Sequence, residues 1–402
     1  MIDYLLKENN KQNKNIYLSI FIQAFAFRLL LFLLVFLFWN EIDPFFVSDD
    51  KMYSSFISYY LKNASSLIDF KSFFDAKYSN GLFSDTYHVW LWLCAIVSYI
   101  FNNELAIRFV NIIFSSISVV LIYQLCRETG EKESVCIGAS KLYAFMPYTA
   151  FSALFVIKDI SLTTFVLLLL LLLAKIYNNK LINLSQFISV LALFFIIKSY
   201  RSGVAEVVLI PFIGIFIAKS FHEKNFFMAS FMTFLVGLLL FLFGQSIFFV
   251  FEEKFLDNIF YNRSETIIAF FRIDDLVSVW KLPLCYMWSM IQPLIGRNIE
   301  TNSWLFIITL LNLSSIPIMF MNVAYLIEKR KKKNWFYLNT LILHLASIVL
   351  TLGSFRHYLY IVPYIYINAI KYESQGLSLS KQIVIISGSS IVIVLIGFYH
   401  LV

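Results

Sequence analysis

The sequence predicts an all-α polytopic membrane protein with about 11 transmembrane helices and further helices lying on the outer face of the bilayer. Of its 402 residues, 60% are hydrophobic and only 14% are charged, whereas an average soluble domain carries about 25% charged residues. Apolar runs recur along almost the whole chain, and Lys and Arg collect in the short segments between them. A soluble fold could not bury this much apolar surface.

The apolar runs and their charged flanks define the predicted spans. Residues 1–16 form a cytoplasmic tail, and the first apolar run is too long for the core of a cleaved signal peptide. The spans lie near 17–39, 105–126, 134–156, 160–177, 185–200, 203–219, 226–248, 304–327, 335–354, 358–371 and 381–401.

Positive charge sets the direction of these spans, because cytoplasmic loops carry an excess of Lys and Arg. The strongest indication is the basic run at 329–333. With the N-terminus inside, this run and the charged segments at 127–133, 175–180, 219–224 and 371–381 all lie in the cytoplasm, and the C-terminus lies outside. This arrangement requires that the apolar stretch 87–101 does not cross fully. We predict that it lies in, or dips into, the outer interface.

The chain forms a single transmembrane domain, 1–402, with two long outer loops at 40–104 and 249–303. The first loop contains two amphipathic stretches, 52–61 and 67–74, which suit helices lying on a membrane surface. The net charge of +7 is explained by the loops and indicates no nucleic-acid partner. The four cysteines show no metal-type spacing.

Charged residues from distant parts of the chain meet on the outer face in this topology. Carboxylates can act as a general base or hold a divalent ion, while Arg and Lys can bind phosphate. Together they predict a site for a phosphorylated lipid at the outer leaflet, and the alternative is that they are interface anchors and local ion pairs. The candidates are Asp49, Asp50, Lys158, Asp159, Arg201, Arg263, Arg272, Asp274, Asp275, Arg356 and His357.

One charged residue falls near the middle of a predicted span. Arg28 lies in the first span, and a charge at the bilayer centre costs about 3 kcal/mol or more. We therefore predict that Arg28 pairs with a polar group inside the helix bundle.

The acidic pair Asp49–Asp50, followed by Tyr53 directly after the first span, resembles the first outer loop of the GT-C superfamily. These are polyprenyl-phosphate-sugar-dependent membrane glycosyltransferases, including protein mannosyltransferases and the lipid A aminoarabinose transferase. An acidic residue at the next outer turn, Asp159 after Pro147, is also similar, as is Arg356 followed by a proline. The chain departs from better-known members because it lacks a soluble C-terminal domain and because a lysine precedes its second acidic position.

The resemblance implies roles for individual residues. Asp49 would be the catalytic or metal-binding carboxylate, with Asp50 as the alternative, and Asp159 would be the second acidic group. Arg356 would bind the lipid phosphate, and any metal, Mg²⁺ or Mn²⁺, would use Asp49 and Asp159; no cofactor is firmly implied. Charge and position add further substrate-binding candidates, which are Tyr53, Lys158, Arg201, Arg272 and His357.

The implied reaction moves a sugar from a polyprenyl-phosphate-linked donor to a glycan or lipid-linked acceptor. It would occur at the outer face of the bacterial cytoplasmic membrane, in the synthesis of cell-surface polysaccharide or glycoconjugate, with membrane lipid as a further partner.

Two other functions stay open at this point. A polymerase of O-antigen or capsule repeat units would also have about 11 or 12 spans and outer-face arginines, but it does not explain Asp49–Asp50 beside surface helices. A lipid-glycan flippase or transporter would need charges along a path through the bilayer, and apart from Arg28 the spans offer few.

Overall fold

A computed structural model describes residues 11–37, 47–82, 88–178, 184–201, 313–329 and 360–401, with a few helical residues between 204 and 217. Within these residues every regular element is a helix. The predicted spans 226–248 and 335–354 and the second outer loop 249–303 lie outside the described residues, as do Arg272, Arg356 and His357.

Twelve helices can be followed through the described part of the chain. They are α1 Lys11–Leu37, α2 Val47–Asn63, α3 Phe70–Ser79, α4 His88–Phe101, α5 Ala106–Glu128, α6 Glu133–Phe145, α7 Pro147–Ser152, α8 Lys158–Asn178, α9 Leu184–Tyr200, α10 Ser315–Lys329, α11 Val362–Glu373 and α12 Leu379–Leu401.

Three of these helices are long and apolar enough to cross a bilayer. They cover Asn15–Leu37, Ala106–Glu128 and Lys158–Asn178, and each coincides with a predicted span. Shorter apolar helices at α4, α9, α10 and α12 accompany them. The described residues therefore form a multi-pass helical membrane protein, while the full number of about 11 spans stays a prediction.

The centre of the bundle is α5, which packs against α1, α6 and α8. Helix α8 is the most buried of the three long helices, and α1 is the least buried. Ser118 of α5 and Thr164 of α8 share a hydrogen bond of 2.8 Å between their hydroxyl oxygens. Small polar residues of this kind bring apolar helices close together where water provides no hydrophobic drive.

The predicted span 134–156 contains two helices with a break between them. Helix α6 ends at Phe145, and α7 begins at Pro147. Proline has no N–H, so the carbonyl of Tyr143, four residues earlier, loses its helical donor. The Thr149 hydroxyl donates to that carbonyl instead, at 2.7 Å. The sequence 153–157 then leads back into α8.

Arg28 of α1 lies at this break, fully buried. Its guanidinium donates to the Ala144 carbonyl at 3.1 Å, to the Ser115 hydroxyl at 2.8 Å and to the Ala24 carbonyl at 3.1 Å. The Ala144 carbonyl is one of the acceptors that every helix leaves unpaired at its C-terminal end. The prediction that Arg28 pairs inside the bundle is confirmed, and the guanidinium caps α6 from a neighbouring helix.

Replacing Arg28 with Met is expected to lower the free energy of unfolding by about 1–3 kcal/mol, because buried acceptors lose their donor. Thermal unfolding of the purified protein in detergent measures the change. Adding Ser115→Ala to Arg28→Met should recover part of the loss, and Gln23→Ala, at an exposed position of α1, is the control. An Arg28→Met protein as stable as wild type would contradict the capping role.

Ion pairs connect several of the described segments that are predicted to be cytoplasmic. Lys371 at the end of α11 pairs with Glu131 at 2.8 Å, and Lys175 at the end of α8 lies 4.0 Å from Glu128. Lys381 of α12 pairs with Glu328 of α10 at 2.8 Å. The structure thus groups these segments as the charge pattern did, and their assignment to the cytoplasm stays a prediction.

The first predicted outer loop contains three helices. The amphipathic stretch 52–61 lies within α2, as predicted, whereas 67–69 form a turn and α3 starts only at Phe70. Asp69 caps α3: its carboxylate accepts from the backbone N–H groups of Ser72 and Ser65, both at 3.0 Å. These bonds to the charged form lower the pKa of Asp69 from 3.8 to about 2.

The ambiguous stretch 87–101 forms α4, a helix of 14 residues. At about 1.5 Å per residue it is roughly 21 Å long, shorter than the hydrocarbon core of a bilayer. It packs against α2 and α9 through Trp90, Leu91 and Cys94, all fully buried. Its predicted place in the outer interface stays a prediction.

Candidate functional site

The opposite end of the bundle from the charged loops is organised around Asp50 of α2, which is only 2% exposed. One carboxylate oxygen, Oδ1, accepts from the backbone N–H of Val156 at 2.6 Å. The other, Oδ2, accepts from Nη2 of Arg108 at 3.0 Å. Asp50 thereby joins the first loop to α5 and to the connection between α7 and α8.

This connection, residues 153–157, is named the clamped turn. Arg108 donates a second hydrogen bond to the Leu154 carbonyl at 3.1 Å. Asn111, one helical turn further along α5, donates to the carbonyls of Phe155 at 2.7 Å and Ile157 at 3.1 Å. The clamped turn is wholly buried, and a buried turn needs partners for the backbone groups that no helix satisfies. Asp50, Arg108 and Asn111 supply them.

Lys158 and Asp159 follow the clamped turn directly, as the first two residues of α8. Both are buried, with Asp159 3% exposed. An acidic residue suits the first turn of a helix because the helix dipole is positive there. Nη1 of Arg201, just after the end of α9, lies 3.5 Å from Oδ1 of Asp159. Two carboxylate–arginine pairs therefore lie on the two sides of one short, rigid connection.

Aromatic side chains pack beside these pairs. Tyr53 of α2 is buried, with its ring centroid 6.0 Å from that of Trp90 on α4, and Trp90 lies 6.1 Å from Tyr200 on α9. Among the residues that the structure describes, the buried indole N–H of Trp90 has no hydrogen-bond partner. This aromatic cluster packs the loop helices α2 and α4 against α9, which ends at Tyr200, directly before Arg201.

The structure brings together several of the residues predicted from sequence. Asp50 contacts the turn that leads to Lys158 and Asp159, and Arg201 contacts Asp159. Asp49 lies in the first turn of α2. Tyr53 belongs to the aromatic cluster. The candidate site residues beyond 201 all lie outside the described part of the chain; they are Arg263, Arg272, Asp274, Asp275, Arg356 and His357.

Sequence analysis missed Arg108 and Asn111. Both lie near the start of an apolar helix, three residues apart, so they share one face. This spacing could have identified them, because two polar residues on one side of a buried helix need polar partners. The partners themselves come from segments about 45 to 60 residues away.

The described carboxylates do not form a metal site. Among the residues that the structure describes, no three His, Cys, Asp or Glu side chains lie together in a way that could hold an ion. Asp50 and Asp159 are each paired with an arginine instead. The predicted metal ligands were Asp49 and Asp159, and binding of Mg²⁺ or Mn²⁺ by them stays a prediction.

The fold and this site define a multi-pass helical membrane protein with a buried network of acids and arginines at one end. Residues 88–249 match the family model of dolichyl-phosphate-mannose-protein mannosyltransferases, a GT-C superfamily domain. The resemblance to the GT-C superfamily is thereby confirmed over this stretch of the chain, and the match supports a membrane glycosyltransferase of this type. The matched stretch includes Arg108, Asn111, Lys158, Asp159 and Arg201. No curated protein matches the chain.

Proposed function

We propose that this protein transfers a sugar from a polyprenyl-phosphate-linked donor to a glycan or lipid-linked acceptor at the outer face of the bacterial cytoplasmic membrane. The observation that carries the proposal is the double contact of Asp50, which joins the acidic loop after the first span to the turn before Lys158 and Asp159. Two segments that resembled the superfamily separately are thus in direct contact, which supports their belonging to one site.

The contacts of Asp50 suggest that the two neighbouring aspartates have different roles. Both oxygens of Asp50 accept hydrogen bonds within the protein, so Asp50 acts as a positioning residue for the clamped turn. Asp49, its neighbour in the first turn of α2, is then the general base. The acceptor hydroxyl loses its proton to Asp49 as its oxygen attacks C1 of the sugar.

The bond between C1 and the phosphate oxygen breaks in the same reaction, and polyprenyl phosphate leaves with the bonding electrons. Cations stabilise the charge that grows on that phosphate. Lys158, Arg201 and Arg356 are the proposed phosphate ligands. Asp159 holds the Arg201 guanidinium within reach of the clamped turn. This scheme has no step through a metal, and a requirement for Mg²⁺ or Mn²⁺ would appear as activity lost in EDTA and restored by the ion.

Analysis of lipid-linked glycans in a deletion strain tests the proposal. A transferase predicts that a polyprenyl-phosphate-linked monosaccharide accumulates and that one glycoconjugate loses a sugar. Accumulation of single repeat units would instead support the polymerase. An unchanged lipid-linked pool, with product trapped on the inner leaflet, would support a flippase.

The proposed topology predicts opposite labelling at the two ends of the bundle. A cysteine at Ser55, exposed on α2, should react with a membrane-impermeant maleimide in intact cells, whereas a cysteine at Ser134, exposed at the start of α6, should react only after lysis. Cys94, Cys126 and Cys136 are buried and give a low background, and Cys285→Ser removes the remaining thiol. Labelling at 134 but not at 55 in intact cells would show that the predicted topology is inverted and that the site faces the cytoplasm.

A further inference from the structure

A groove of about 470 Å³ adjoins Asp50 between the end of α1, the start of α2 and the short connection from α4 to α5. Its volume lies within the range of small-molecule sites, about 300–1,000 Å³. Phe32 and Phe36 of α1 and Leu105 form its apolar wall. No residue of this wall belongs to the sets that the sequence analysis proposed for donor binding or catalysis.

The apolar wall continues into the lipid-facing surface of the protein. Phe36 is 53% exposed, and Leu33 and Leu37 on the same helix are also exposed. Exposed apolar side chains on a membrane-spanning helix contact acyl chains. An occupant of the groove can therefore keep a hydrocarbon tail in the bilayer while its head lies inside.

The polar wall carries balanced charge. It contains two carboxylates, Asp50 and Glu104, and two cations, Lys51 and Arg108. Arg108 is held by Asp50 and the Leu154 carbonyl, and Glu104 accepts from Ser58 at 2.7 Å. A phosphate needs an excess of cationic donors, which this wall does not have. Donors and acceptors in equal measure, beside aromatic rings, suit the hydroxyl groups and apolar faces of a neutral sugar.

We propose that this groove binds the uncharged sugar head of a lipid-anchored glycan, and that this glycan is the acceptor of the transfer. The assignment of the acceptor role rests on the proposed function. Asp50 lines the groove and also holds the clamped turn, so the head of the glycan lies one residue along the chain from the proposed base, Asp49.

Photolabelling in nanodiscs tests the site without any need for turnover. The probe is dodecyl maltoside with a diazirine in its alkyl chain, and the comparison probe is dodecyl phosphocholine with the same diazirine. Mass spectrometry then locates the labelled peptides. We expect the maltoside to label peptides containing Phe32, Phe36 or Leu105 at least about fivefold more than the phosphocholine does, a preference that corresponds to about 1 kcal/mol.

Two variants that fill the groove make the test specific. Ser54→Trp and Lys51→Trp should each remove most of the maltoside labelling, and position 51 is exposed, so folding should tolerate the change. Ile22→Trp, on the exposed face of α1 away from the groove, is the matched control and should label like wild type. Equal labelling by the two probes, stronger labelling by the phosphocholine, or full labelling of both filled variants would overturn the groove proposal.

The outcomes also separate this proposal from the proposed function. If the groove selects maltoside but the deletion strain shows no missing sugar, glycan binding stands and the transfer reaction fails. If the deletion strain shows the transfer but the groove binds the maltoside no better than the phosphocholine, the proposed transfer reaction is supported and its acceptor binds elsewhere.

Discussion

Replacing Asp49 with Asn is expected to lower turnover by about 100- to 10,000-fold, the usual contribution of a general base. The substitution keeps the size of the side chain and much of its hydrogen bonding but removes the charge that accepts the proton. Donor binding should change little, because the proposed phosphate ligands are cations elsewhere in the site. The measurement is sugar transfer by purified protein in nanodiscs at saturating donor, with donor affinity determined separately.

Comparison with Asp50→Asn makes this test sharper. Asp50 holds the clamped turn through two hydrogen bonds, so its replacement should reduce both turnover and thermal stability. Asp49→Asn should reduce turnover alone. If Asp49→Asn keeps normal turnover while Asp50→Asn loses activity without losing stability, the two roles are exchanged. If neither change reduces product, the carboxylate mechanism is wrong and the arginine-centred polymerase becomes the better interpretation.

Breaking the pair between Asp50 and Arg108 from one side should cost about 3–5 kcal/mol of unfolding free energy, because a buried charge loses its partner. Both side chains are almost wholly inaccessible, at 3% and 6% exposed. Arg108→Met removes the guanidinium and leaves the Asp50 carboxylate buried. Thermal and denaturant unfolding in a fixed detergent would report the loss.

Two further variants show whether the pair acts as a unit. The double change Asp50→Asn with Arg108→Met leaves no unpaired charge and should be less destabilised than the sum of the two single changes. Lys381→Met breaks the ion pair with Glu328, whose two side chains are each about 40% exposed. This change should have little effect on the unfolding free energy, because solvent screens such pairs. An Arg108→Met protein that unfolds like Lys381→Met would contradict the clamp.

Much of the fold follows from the sequence because a bilayer imposes strict requirements on length and polarity. The long apolar runs at α1, α5 and α8 could form only spanning helices, and their bounds agree with prediction within a few residues. The break in α6 was harder to predict, since apolar length alone does not show where a helix stops. Pro147 was the visible cause, but the capping of the freed carbonyls by Arg28 and Thr149 depends on tertiary packing.

The candidate site was likewise predictable only in part. Charge and topology were enough to place Asp50, Asp159 and Arg201 at one end of the protein, and the structure brings their segments together. Pattern could not show that Asp50 is held by Arg108, 58 residues away, and by Val156, 106 residues away. Such contacts depend on how α5 rotates about its axis, which a single sequence leaves undetermined.

The position of Arg28 has a consequence for how the protein is made. Its acceptor at Ala144 follows 116 residues later in the chain, which at about 5–20 residues per second is on the order of ten seconds of synthesis. During that interval the guanidinium of the first helix lacks the hydrogen-bond acceptors that Ser115 and Ala144 later provide. We expect α1 to stay beside the insertion machinery, or to hold Arg28 towards an interface, until α5 and α6 have entered the membrane. The order of helix assembly is thus constrained by one guanidinium.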